Sequence, residues 1–433
     1  MEECVKLKLE LREIKIKDVV FGDTTKVEGN VLYIAPDEIK ELLMTDRRIS
    51  NVTVDLARPG ESVRIIPVKD VIEPRAKLEG GKAFPGIDGN ISEVGEGITY
   101  RLSGAAVVTT GPIVGFQEGI IDMSGPLCDY TPFAHLNNVV IGIDKVESVE
   151  PHEHEEVVRV GGIRAAHFIA KRALEAKPDQ VYCYDWKNVG EKALLYPELP
   201  KVVYVYQCMS QGLLHDTYIY GKDSKKTMPT LMSPLSVFDG AIVSGNCVSP
   251  GSKTTTYHHQ NNAIINELFE RDGKELNFVG VVICPLMTTL SDKYRNSVIT
   301  ARLVELLGAD GVIQSQEGFG NPTTDLMMIC GALEKKGIKT VLISNEDAGV
   351  DGKSEPLPDG NDYADAIVST GNSNATIDLP PMDKVIGQLA DLERVTGGFA
   401  GSIKEDGSLT IEIHGIMGSH NLQGTGKLCA VTR

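Results

Sequence analysis

From residue 178 onward, short apolar runs alternate with amphipathic stretches, and this alternation narrows the possible folds more than any other feature. The runs at 202–206 (Val-Val-Tyr-Val-Tyr), 278–284, 311–315, 340–344 and 365–369 are rich in β-branched residues. Each is too short for a helix; the last three read as strands, and those at 202–206 and 278–284 as buried strands. The run at 181–184 (Val-Tyr-Cys-Tyr) is assigned to the same kind of strand. Between them, helices are expected over 261–271, 297–307 and 323–336, the last closed by Gly337. A further helix is expected over 229–238, ahead of an apolar run at 241–243. Strand–helix–strand repeats of this length bury both faces of a sheet as βαβ units, which predicts a doubly wound, mostly parallel α/β sheet.

The front of the chain has a different period. Residues 5–11 and 14–19 alternate apolar and charged positions, and 52–70 is again strand-like, with Arg58-Pro59-Gly60 as a turn. These predict half-exposed antiparallel strands whose charged residues form solvated faces. A hairpin is expected over 26–34, a short helix after Pro36, a buried strand over 104–110 and another strand over 138–149. The run Pro151-His152-Glu153-His154-Glu155-Glu156 then precedes a helix expected over 157–176, its carboxylates suiting a helix N-terminus. His152 and His154, two apart and ahead of that helix, lack the i,i+4 spacing of a helical metal pair, so no metal site is assigned, although a metal hydrolase remains the third reading. The expected division is a β-rich N-terminal region, 1–150, an α/β segment, 151–246, and a second α/β segment, 247–433.

A formal charge of −17 argues against a nucleic-acid partner, which requires clustered Lys and Arg. No stretch is apolar for long enough to span a bilayer, and the start lacks the order of a secretion signal, so a cytoplasmic location is expected. The eight cysteines form no Cys-x-x-Cys pair, against a zinc or disulfide framework; Cys183, Cys284 and Cys330 lie in apolar runs and read as core.

One stretch carries chemistry. After the apolar run at 241–243 come Ser244, Gly245, Asn246, Cys247, Val248 and Ser249, with Pro250 and Gly251 keeping the chain out of regular structure. Lys253, three threonines (254–256), Tyr257, His258, His259, Gln260, Asn261 and Asn262 follow. Cys247 thus sits at a strand end in a hydroxyl-rich loop. A thiolate there can attack the Asn246 carbonyl to give a thioester. Elimination then leaves dehydroalanine on the downstream piece, and tautomerisation and hydrolysis give a ketoacyl terminus. His258 and His259 are candidate proton shuttles, and Thr254 to Thr256 candidate donors to the oxyanion; otherwise the two histidines are a surface pair at a helix start.

Ser244 to Ser249 together with Thr256 to Asn262 resembles the processing site of the proprotein subunit of glycine reductase component B. The subunits of the sarcosine, betaine and D-proline reductases are similar, and the likeness extends to the 151–156 junction and to the Gly318–Pro322 loop. The resemblance implies a break between Asn246 and Cys247, with Cys247 becoming a pyruvoyl group. It implies a substrate amine held as an imine, and reductive deamination of glycine to acetyl phosphate. It implies as partners a selenocysteine-containing subunit of component B, selenoprotein A and component C, with thioredoxin as electron source. This chain has no selenocysteine of its own. Sarcosine or betaine as substrate, and a non-catalytic scaffold for the selenoprotein, stand as alternatives.

A carboxylate substrate needs cationic or N–H partners. Lys253 lies beside the nucleophile in sequence, and Arg295 near a strand end. In doubly wound sheets ligands gather beyond the carboxyl ends of the strands, which adds Glu317 and Asn321 as candidate substrate contacts and puts 345–347 and 370–372 at the same rim. The Gly318-x-Gly320 pair lacks the third glycine of a dinucleotide fingerprint, and no P-loop occurs.

Overall fold

The computed structural model describes residues 7–174, 176–212, 217–245 and 248–423. Its centre is the expected parallel sheet. Strands Asn277–Pro285, Lys201–Cys208, Gly311–Ser315, Lys339–Glu346 and Ile367–Asn372 lie side by side in that order, all parallel, with Thr230–Met232 antiparallel on one edge. Numbered along the chain, the five parallel strands run 2-1-3-4-5. The direction of winding therefore reverses between Lys201–Cys208 and Gly311–Ser315, and the crevice at such a reversal is where ligands bind in this class of sheet.

The two faces are covered differently, as a doubly wound sheet requires. On one, Val203, Val205, Val282 and Val312 pack against Ala301 and Val304 of helix Leu290–Leu306 and Ile329 and Leu333 of helix Asn321–Glu334. On the other, Tyr204, Tyr206, Phe278 and Ile283 pack against Phe238, Ile242, Ile265 and Leu268. The segment holding Ser244 and helix Thr256–Gln260 is thus the cover of the second face. The stretch 229–238 is not one helix: it is strand Thr230–Met232 followed by the short helix Pro234–Phe238, with Ser233 capping and Pro234 starting the turn.

The β-rich front contains a sheet ordered Gly119–Asp122, Val63–Ile72, Ala105–Thr110, Asn137–Lys145, Ile49–Ala57. A second sheet is ordered Gln180–Trp186, Leu7–Lys15, Gly97–Ser103, Arg75–Glu79. The run at 181–184 is therefore not a central parallel strand. It is an antiparallel edge paired with Leu7–Lys15, and Cys183 is exposed, whereas Cys284 and Cys330 are buried. Its aromatic residues mark one-sided packing, Tyr184 and Trp186 lying against Phe269. The strands of the front are not all antiparallel, since Leu7–Lys15 runs parallel to Gly97–Ser103.

The charged residues of the front strands are the larger departure from the sequence reading. Arg64, Lys69 and Asp70 are buried, not solvated, and so are Arg75 and Lys77 of the next strand, Arg75–Glu79. Each basic residue has a carboxylate: Arg64 with Asp122 (2.7 Å), Lys69 with Glu118 (2.8 Å), Arg75 with Glu73 (2.6 Å) and Lys77 with Asp239 (2.6 Å). A charged strand residue reads as solvated in sequence, but here the rest of the chain covers these strands, all ten residues of Val63–Ile72 being buried. Helix Pro151–Lys171 also starts earlier than expected, with Pro151 in its first turn and a capping box between Glu150 and Glu153. His152 and His154 are therefore inside the helix. Among the described residues no three His, Cys, Asp or Glu side chains are grouped as metal ligands would be, and no helix is long and apolar enough to cross a membrane.

Candidate active site

The loop between strand Ile242–Ser244 and helix Thr256–Gln260 is tied at its two ends. The Ser244 N–H donates to Thr256 Oγ1 at 3.0 Å. Thr256 in turn donates its hydroxyl to Asp70 Oδ2 (2.6 Å) and its N–H to Asp70 Oδ1 (3.0 Å). Asp70 stands at an irregularity of strand Val63–Ile72, where the register with Ala105–Thr110 shifts between Val68 and Asp70. Such bulges re-aim side chains. Burial pushes the Asp70 carboxyl up to about 6, against the attraction of Lys253 and the hydrogen bonds from Thr256.

Lys253 is the cation of this loop. Its side chain is fully buried, and Nζ donates to the Gly245 carbonyl, one residue before Asn246. Asn246 and Cys247 themselves lie outside the described residues, as do His215 and Asp216. The far wall is Glu317, just past the carboxyl end of Gly311–Ser315. Its carboxylate accepts from the N–H groups of Thr254 (2.9 Å) and Met209 (3.0 Å) and from the Thr217 hydroxyl (3.3 Å). Met209 follows strand Lys201–Cys208, so Glu317 joins the two strands flanking the winding reversal and hangs the loop across that crevice.

His258 and His259 are not a surface pair; both are buried in helix Thr256–Gln260. His258 completes the cap of that helix, its Nδ1 lying 3.0 Å from Thr255 Oγ1 and its N–H donating to the same oxygen. Burial pushes His258 down to about 3, and His259 well below the ordinary histidine value with help from Lys253 and His258. At neutral pH both are uncharged hydrogen-bonding groups. His259 Nδ1 lies 2.5 Å from the Tyr206 hydroxyl, which accepts from Gln423 Nε2 at 2.7 Å. A Tyr206 hydroxyl that accepts from Gln423 and gives its own proton to Nδ1 leaves the ring hydrogen of His259 on Nε2, which is buried with no protein partner.

The threonines are committed to the loop's shape. Thr256 serves Asp70, Thr255 caps the helix, and Thr254 Oγ1 accepts from Asn421 Nδ2 at 3.3 Å. Asn421 also donates to the Lys253 carbonyl at 3.0 Å, so the tail packs on the loop. The front sheet clamps it from the other side. Gln260 pairs with the backbone of Glu73 through both amide atoms (3.0 Å each), Arg75 donates to Asn261 (2.8 Å), and Asp239 accepts from Lys77, Thr99 and the Gly95 N–H.

Lys253, His258, His259 and Glu317 thus converge on one loop, whereas Arg295 and Asn321 do not join them. The Arg295 side chain is 54% exposed and paired with Asp292, and Asn321 is an exposed first-turn residue whose carbonyl accepts from Lys293. Sequence reading missed Asp70, Tyr206, Asn421 and Gln423. The one available signal was Lys69-Asp70, two opposite charges inside an otherwise apolar run.

Comparison with known proteins places the sequence in a family. The family model for glycine/sarcosine/betaine reductase component B subunits matches residues 7–431. The chain belongs to that family. The glycine reductase complex component B subunits alpha and beta of Acetoanaerobium sticklandii are 51% identical over 429 residues, covering 98% of this chain and 100% of the relative. The sarcosine reductase complex component B subunit alpha of Peptoclostridium acidaminophilum is 51% identical over 425 residues, 98% of this chain and 99% of the relative. The betaine reductase complex component B subunit alpha of the same organism is 38% identical over 421 residues, 94% of this chain and 95% of the relative. No solved structure matches. As a component B subunit the chain is part of a reductase complex, an oxidoreductase assembly with other components.

Proposed function

We propose that this component B subunit is the substrate-activating part of a glycine reductase, cut between Asn246 and Cys247 and carrying at Cys247 a pyruvoyl group. The observation that carries the reading is the buried Lys253 ammonium on the Gly245 carbonyl, in a loop clamped from both sides at the winding reversal of the sheet. A fixed cation one residue from the breaking bond favours a thiolate at position 247 and offsets negative charge developing at the Asn246 carbonyl. Asp70, through Thr256 and Ser244, holds the strand end that presents that bond. A relative named for two subunits is matched over 98% of this single chain, as expected if one polypeptide supplies both.

The surroundings suit a ketoacyl terminus. His259 Nε2–H and the Ser249 hydroxyl are buried without protein partners and are available to a carbonyl oxygen, and Lys253 stands beside them in the same loop. When present, a pyruvoyl ketone supplies an electron sink that side chains lack, loosening the C–N bond of a bound amine. The loop residues exclude water, orient the substrate and donate hydrogen bonds without changing charge. The reduction itself falls to partners: a selenocysteine-containing subunit of component B, selenoprotein A and component C, with thioredoxin supplying electrons, in the cytoplasm.

Sarcosine is the second reading, because the sarcosine relative is as similar as the glycine one, at 51%. A denaturing gel of the purified chain, followed by turnover with each amine, tests both. Two fragments meeting at Asn246/Cys247 are expected. One full-length band in a fully active preparation would leave a non-catalytic scaffold as the role of the chain.

A further inference from the structure

The loop that carries Lys253 is framed by the tail segment 413–423. That segment is itself fixed to the front sheet. Met417 is buried in one cluster with Val63, Ile65 and Ile121, and its N–H donates to the Ile120 carbonyl at 3.1 Å. From there the tail brackets the loop with three backbone bonds. The Gly251 N–H donates to the His414 carbonyl (2.8 Å), the Gly418 N–H to the Pro250 carbonyl (2.8 Å) and the His420 N–H to the Gly251 carbonyl (3.0 Å). A Cβ on Gly251 would lie 2.2 Å from His420 Cε1, so glycine is what lets the loop close this far onto the tail.

Asn421, 2% exposed, extends the frame to Lys253. Its Nδ2 donates to the Lys253 carbonyl (3.0 Å) and to Thr254 Oγ1 (3.3 Å), and its Oδ1 accepts from the Gln423 N–H (2.9 Å). The amide can face only one way, because the carbonyl accepts and the N–H donates. The other polar atom of the same peptide unit, the Thr254 N–H, donates to Glu317 Oε1 at 2.9 Å. The peptide unit that follows Lys253 is thus held at both ends, by one side chain of the tail and one of the sheet rim. That fixes the backbone from which the Lys253 side chain reaches the Gly245 carbonyl. A step that depends on placed groups is sensitive to small displacements of them.

We infer that Asn421 is a positioning residue for the cut: it sets Lys253 on the Gly245 carbonyl, so the loop becomes competent only once the tail has docked. The inference rests on the reading that the chain breaks between Asn246 and Cys247, and adds what arms that break. The anchors of the loop come from far apart, Asp70 lying 186 residues before Thr256 and Asn421 lying 168 residues after Lys253. A partly folded chain has the thiol but not the frame, so cutting follows folding.

A double-mutant cycle on the full chain tests this, read as the rate at which the two fragments appear on a denaturing gel. Asn421→Leu is expected to slow the cut about tenfold, the effect of one hydrogen bond on a step that depends on it. In the Lys253→Met chain the same change is expected to slow it by less than about twofold more, because the group that Asn421 positions is gone. A further tenfold loss in that background would mark a purely structural role and overturn the proposal, and so would an unaltered rate in Asn421→Leu alone. Melting of the same chains carrying Cys247→Ala, which cannot be cut, shows whether they fold. Should the leucine variant not fold, Asn421→Asp takes its place in the cycle. It keeps the shape and the acceptor for Gln423 but lacks the Nδ2 donor, and the same two results are expected. A parent chain that is never cut overturns the reading of the site together with this proposal. A parent that is cut, with an Asn421 variant cut as fast, overturns the proposal alone.

Discussion

Replacing Lys253 by methionine separates a role in chemistry from a role in folding. The side chain is fully buried, and methionine keeps most of its volume while deleting the ammonium. One charge-assisted hydrogen bond, to the Gly245 carbonyl, is lost. Such a bond is worth roughly 1.5–3 kcal/mol. If the same interaction steadies the bond-breaking step, cleavage slows by roughly 10- to 150-fold. The effect on stability is smaller, because the structure contains its own relief. Without Lys253, Asp70 loses the attraction that offsets its burial, and its carboxyl rises above about 6. At neutral pH it can then protonate at a cost of about 1.4 kcal/mol per pH unit between its folded value and the solution. The variant also no longer buries an ammonium. A net loss of no more than about 2 kcal/mol is therefore expected, where breaking a buried pair with no such relief costs roughly 3–5 kcal/mol. The assay is the time course of the two fragments on a denaturing gel after a pulse of synthesis, with urea unfolding of the uncut chain alongside. Cleavage at the unaltered rate would refute the role of Lys253, and so would slow cleavage fully accounted for by a less folded chain.

Other consequences follow from the same residues. Because burial holds Asp70 at about 6 against an ordinary 3.8, the folded chain keeps a proton that the unfolded chain has released, so this group's contribution to stability falls as pH rises through about 6. Asp70→Asn cannot ionise, and its stability relative to the parent is expected to rise by about 1.5 kcal/mol between pH 5 and 7.5 in urea titrations; a constant difference would count against a buried, perturbed Asp70. Tyr206→Phe removes the proton donor to His259 Nδ1 and should let the ring hydrogen move to that nitrogen, visible as exchanged nitrogen shifts in NMR of histidine-labelled protein, with turnover reduced about tenfold. Lys77→Met strands the Asp239 carboxylate between Thr99 and Gly95 and should cost roughly 3–5 kcal/mol, read as a lower urea midpoint.

The parallel sheet was legible because strands Lys201–Cys208 and Asn277–Pro285 are buried on both faces and read as apolar runs whatever surrounds them, whereas Ile367–Asn372 is an outer strand with exposed positions. Position at the carboxyl rim then followed for Glu317 from chain order alone. What escaped depends on contacts between distant parts of the chain. The charged residues in Val63–Ile72 and Arg75–Glu79 look the same in sequence whether they meet water or another layer, and only the partners decide: Asp239 for Lys77, Asn261 for Arg75, Thr256 for Asp70. Likewise nothing local marks Tyr206 as more than a core aromatic, or Gln423 as its partner. Arg295 stands apart from the loop at the surface, paired with Asp292; closeness to a strand end in sequence does not say which way a helical side chain turns.

Intact-mass spectrometry of the denatured, natively matured protein addresses the central claim most directly. Two polypeptides are expected, the upstream one ending at Asn246. The downstream one should be lighter than a fragment beginning with cysteine by one hydrogen sulfide and one ammonia, and heavier by one water. A fully active sample containing a single uncut chain, or a downstream fragment that keeps the mass of an N-terminal cysteine, would contradict it.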